Sequence, residues 1–141
     1  QLLGDLKVAR TLVDEAIAKA QATGDARPEA LGLLSMVTLH MANPGGVDWD
    51  TAYEVAKKAE SILRKLTEGS ADDLLAYALQ LQSVVCLHLQ QLDMAARAAH
   101  EAHVLYVRAA DKAGESEILR LLVCVDLEIL FRDLRGAKDD P

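Results

Sequence analysis

Ser35-Met36-Val37-Thr38-Leu39-His40-Met41 returns 48 positions later as Ser83-Val84-Val85-Cys86-Leu87-His88-Leu89, with four identities and three exchanges between small or apolar residues. A second echo has another period. Leu6, Ala9 and Ala16 recur as Trp49, Ala52 and Ala59, then as Leu92, Ala95 and Ala102, in steps of 43. Alanine is common here, so the alanines alone carry little weight. The order large apolar, Ala, Ala, held three times, carries more. Self-similarity near 40 residues in helical sequence predicts stacked helix pairs, each burying its apolar face only against its neighbours. Chains of that kind usually bind something and seldom do chemistry.

Composition supports an all-α chain. Of 141 residues, 51% are hydrophobic and only 4% aromatic. Ala, Leu, Glu, Lys, Gln and Arg dominate, the residues that lose least on entering a helix. No uncharged apolar run reaches the roughly 18–20 residues that cross a membrane. Gln1-Leu2-Leu3-Gly4-Asp5 lacks the basic stretch and apolar core of a signal peptide. The chain does not begin with Met and reads as a piece of a longer protein. A net charge of −7 argues against nucleic acid and anionic membrane as main partners, since phosphate binding needs clustered cations. Cys86 and Cys124 lie in apolar helical sequence without metal spacing, which predicts buried thiols in a reducing, cytoplasmic compartment.

Six helices are expected in a single domain spanning residues 1–136. The first, 2–22, stops at Gly24-Asp25, and Pro28 suits the first turn of the second, 28–42. Asn43-Pro44-Gly45-Gly46 is a loop, and Asp48 can cap the third helix, 49–66. The fourth runs over 72–90 and the fifth over 93–113, closed by Gly114. The last, 116–135, is capped by Ser116 and reads as a terminal or capping helix, with 137–141 a disordered tail. Residues 28–67 and 72–113 then form two full units, preceded by an unpaired second-type helix. The two periods differ by five, the length of an insertion carrying the Asn-Pro-Gly-Gly loop in the first unit.

The two units resemble tetratricopeptide repeats. That family's second helix carries a large apolar residue followed by Ala three, seven and ten positions on. Trp49, Ala52, Ala56 and Ala59 match it, as do Leu92, Ala95, Ala99 and Ala102, while Leu31 with Ser35 and Leu79 with Ser83 match its first helix. The chain departs from the pattern in lacking the usual Gly before the second helix, in its long connections, and in having no Pro after each unit. The resemblance implies a short α-solenoid whose first helices line a concave groove. It places Met36, Leu39, His40, Gln80, Val84, Leu87 and His88 on or near that groove. The positions that hold a terminal carboxylate in the best-known members are occupied by Gly32, Met36, Gln80 and Val84, so no carboxylate clamp can form. The expected groove is apolar and suits an amphipathic helix, a hydrophobic peptide or the chain's own next segment.

Other chemistry-bearing residues have plainer readings. His40 and His88 could meet as a metal or pH-sensitive site, could touch a peptide, or could simply end apolar helices half-buried; the last is preferred. His100-Glu101-Ala102-His103 has its histidines three apart, whereas the zinc-protease helix has them four apart with Glu beside the first. Glu128 is placed to pair with Arg132, and Lys57-Lys58 with Arg64-Lys65 read as a solvated outer face. Ser35 and Ser83 read as close-packing residues. No phosphate loop or nucleophile elbow is present, and no catalytic residue, metal or cofactor is expected. Two functional expectations follow: a non-catalytic module that binds a protein or peptide partner, or a domain that associates with its own copies through incomplete ends.

Overall fold

The computed structural model describes residues 2–43, 45–66 and 71–139. Six helices occupy them: α1 (Leu2–Thr23), α2 (Ala26–Met41), α3 (Trp49–Arg64), α4 (Asp72–His88), α5 (Leu92–Arg108) and α6 (Lys112–Asp139). Among the described residues there is no strand. Each helix packs on the next in sequence, and α4 also touches α2 and α6. One apolar cluster joins α2, α3 and α4 through residues such as Leu34, Val37, Ala56 and Val85. A second joins α4, α5 and α6 through Leu79, Ala102, Leu105 and Ile118.

Three links are very short and end alike. Gly24, Gln90 and Ala110 sit at φ 71°, 61° and 56°, in the left-handed region. The next amide reaches back across the last turn in each case, from Asp25 to the Ala20 carbonyl, Gln91 to Cys86 and Asp111 to Tyr106, at 3.1, 2.8 and 3.0 Å. This closure satisfies carbonyls that the helix end would orphan and turns the chain at once into the next helix.

The last of these links corrects the expected boundaries. Helix α5 ends at Arg108 rather than near Ala113, and α6 is already under way at Lys112. Asp111 accepts the Gly114 amide at 2.9 Å and so opens α6, the role expected of Ser116. Gly114 closes nothing. It lies in the first turn of α6, where a Cβ would run into the Tyr106 ring. Gly136 does not stop α6 either, and 137–139 continue the helix while residues 140 and 141 lie outside the described residues. Asp48 caps α3 as expected, accepting the Thr51 amide at 3.1 Å and the Thr51 hydroxyl at 2.7 Å. Those two hydrogen bonds hold its carboxyl below the usual carboxylate range.

Candidate functional site

Burial fixes which residues of α2 and α4 correspond. The buried residues of α2 are Ala30, Gly32, Leu33, Leu34, Met36 and Val37. Shifted by 49, every one of them meets a buried residue of α4: Leu79, Leu81, Gln82, Ser83, Val85 and Cys86. Shifted by 48, the sequence echo pairs exposed Leu31 with buried Leu79 and exposed Thr38 with buried Cys86. One residue on a helix is a rotation of about 100°. The Ser-x-Val-x-Leu-His echo therefore does not superpose the two helices, and His40 corresponds to Leu89, His88 to Leu39. Between α3 and α5 the step of 43 survives, because Ala52, Ala56, Ala59 and Leu63 of α3 and Ala95, Ala99, Ala102 and Tyr106 of α5 are all buried. Of their counterparts in α1 only Ala20 is buried, with Ala9 and Val13 half-buried and Ala16 exposed.

The two histidines have different surroundings. His88 ends α4 and stacks on Trp49, which opens α3, with ring centroids 3.9 Å apart and planes 7° from parallel. His40 instead borders a cavity between α1 and α2 with Leu6, Arg10, Met36 and Leu39. Met36 is buried there. The expected groove residues thus divide. On α4, Gln80, Val84, Leu87 and His88 do lie at least partly open, although Gln80 also accepts the Tyr106 hydroxyl at 2.7 Å. On α2, Leu31, Ser35 and Thr38 are at least partly open, whereas Met36, Leu39 and His40 border the cavity against α1. Ser35 bonds back to the Leu31 carbonyl at 3.0 Å; only Ser83 is close-packed, donating to the Ala95 carbonyl at 2.8 Å.

Apolar concavity continues along α1 and α2. Leu12, Val13 and Ala16 of α1 with Pro28, Leu31 and Ser35 of α2 enclose about 320 Å³. Elsewhere α3, α4 and α5 frame a polar depression lined by Lys57, Glu60, Gln82 and Glu101. There Glu60 accepts from Gln82 at 2.7 Å and from Arg64 at 2.6 Å, and Arg64 continues to Glu101 at 2.8 Å. Burial alone would raise the Glu60 carboxyl, but the Gln82 and Arg64 hydrogen bonds outweigh it and hold it below the usual range. Lys57 pairs with Glu60 at 3.4 Å, so Lys57 and Arg64 belong to this network rather than to a bare basic face.

Arg132 reaches Asp93 of α5 and its neighbour Asp133, not Glu128. Cys86 is buried and its thiol is pushed up by that burial; Cys124, expected buried, is exposed on α6. Among the described residues, no group of three His, Cys, Asp or Glu side chains is arranged to hold a metal, and no helix is long and apolar enough to cross a membrane. No protein-family model matches this sequence, and no curated protein matches it.

Proposed function

We propose that the chain is a non-catalytic cytoplasmic interaction module, a short α-solenoid of the tetratricopeptide kind. It would hold a peptide or helix of a partner along the open faces of its even-numbered helices. The observation that carries this is the seriate contact of α2 with α4 and of α4 with α6, while Leu31 and Ser35 of α2 and Val84 and Leu87 of α4 keep a face open. Apolar positions repeated along such a wall suit the apolar stripe of an amphipathic helix. Calorimetric titration with amphipathic helical peptides tests it. Binding that disappears in Leu31→Glu and Val84→Glu supports the module, and absence of binding by every such peptide removes it.

A second reading is self-association, favoured by α6. Leu79, Ser83 and Leu87 of α4 take part in the packing of α5. Forty positions on, at matching register with buried Ile118 and Val125, stand Leu119, Val123 and Leu127, all exposed. Leu130, Phe131 and Leu134 extend that stripe. Val8 and Leu12 of α1 are exposed at the other end, so one copy's α1 could cover the next copy's α6 in a head-to-tail contact. Light scattering across a dilution series decides: a mass that rises with concentration and falls back in Val123→Glu supports stacking, and a monomer throughout sinks it.

A further inference from the structure

Building on the interaction-module reading, we propose that the cavity between α1 and α2 receives an aromatic side chain of a partner protein, from a segment whose adjacent residues are acidic. The cavity measures about 200 Å³ and is bordered by Leu6, Lys7, Arg10, Leu39, His40 and Asn43 over a floor that includes Met36.

The junction of α3 with α4 supplies the template for that of α1 with α2. Trp49 stands 43 positions after Leu6, and His88 is the counterpart of Leu39 in the burial register. Where the indole of Trp49 covers the ring of His88, Leu6 and Leu39 leave open volume. Tyr53, 43 positions after Arg10, packs against the apolar clusters around α3 and α4. Arg10 is exposed at the cavity instead. The α1–α2 junction therefore lacks two aromatic rings that the α3–α4 junction possesses, and the void lies where they would be. Apolar walls facing a void forfeit contacts, and a ring is the side chain that regains most of them.

Charge selects the residues beside that ring. Lys7 and Arg10 are both exposed at the cavity, and among the described residues neither takes part in an ion pair. His40 and Asn43 add polar edges. On a chain of net charge −7, an acidic segment is repelled by most of the surface and admitted at this pair of cations.

The probe is a capped Glu-Asp-Trp-Asp-Glu peptide, titrated into the isotope-labelled chain and followed by amide chemical shifts. Shifts centred on Arg10, Leu39, His40 and Asn43 are expected, with affinity lowered about tenfold or more when the peptide Trp becomes Ala. Leu6→Trp, which refills the cavity as Trp49 does, should abolish binding. Lys7→Glu with Arg10→Glu should weaken it about tenfold while thermal unfolding stays unchanged, and this pair decides alone if Leu6→Trp unfolds. Equal binding by the Ala peptide or by the charge-reversed chain overturns the proposal. So does an unshifted spectrum at peptide concentrations on the order of millimolar. Shifts at Gln80 and Val84 instead refute the cavity while leaving the wider module standing, and failure of the helical-peptide titration alone leaves the cavity standing.

Discussion

The Gln82 amide of α4 donates to the Glu60 carboxylate of α3 at 2.7 Å, and Glu60 is only 9% exposed. Arg64 holds its other oxygen at 2.6 Å and passes the connection on to Glu101 of α5. A carboxylate in that position is tolerated because its oxygens are satisfied from several sides. Gln82→Leu removes one donor and is expected to cost about 1–3 kcal/mol by urea unfolding at neutral pH.

The same carboxylate makes stability depend on pH. Its folded-state value lies below its unfolded one, so its contribution is present above the ordinary carboxylate range. That contribution is lost as pH falls through the depressed folded value. Glu60→Gln should therefore flatten the acid side of the stability profile. An acid limb unchanged from that of the original chain would contradict this.

Trp49→Leu should convert the α3–α4 junction into a likeness of the α1–α2 junction. The stack on His88 disappears and a cavity opens beside α4, for a loss of about 1–3 kcal/mol. The acidic aromatic peptide should still give no amide shifts near His88, because Asp50 and Tyr53 stand there in place of Lys7 and Arg10. Denaturant titration followed by circular dichroism measures the first effect, since Trp49 is the only tryptophan.

Ala110→Gly should stabilise the chain by roughly 0.5–1 kcal/mol, because Ala110 holds φ 56° where a Cβ is unfavourable. Gly114→Ala should do the reverse, by about 2 kcal/mol or more. Its new methyl meets the Tyr106 ring, and that ring cannot swing aside while its hydroxyl is bound to Gln80. Thermal melts of the two variants should move in opposite directions.

Gly32→Ala should cost about 1–2 kcal/mol, since the added carbon would lie 2.6 Å from the Ile17 side chain of α1. Combining it with Ile17→Ala removes the obstruction, so the double variant should be more stable than the two separate losses added together.

Helices α3 and α5 were legible because their contacts are made by alanine. Ala52, Ala56 and Ala59 let neighbours approach closely, no other side chain fits as well, and identity recurs at 95, 99 and 102. The even-numbered helices pack by complementary size instead. Their register pairs Leu34 with Ser83 and Met36 with Val85, which look unrelated as letters. The visible Ser-x-Val-x-Leu-His echo lies one residue away and points its histidines along different directions. The turn after α5 was hidden for another reason: Ala109-Ala110-Asp111 carries no glycine, while Gly114, which looked like punctuation, is a close approach between helices. As for the site, Val84 and Leu87 were readable from position along α4, but the cavity beside His40 is not. It exists only through what Leu6 fails to fill, and that is evident once Trp49 is seen against His88.

Packing confined to consecutive helices and next-but-one neighbours has a kinetic consequence. Contact order is low, so little loop-closure entropy stands between the unfolded chain and its first native contacts, and folding on the microsecond-to-millisecond scale, roughly, is expected. Opening should start at the extremities, where α1 and α6 each pack chiefly on one other helix, and reach α4 last. Amide exchange would then slow progressively from both ends toward the centre of the chain.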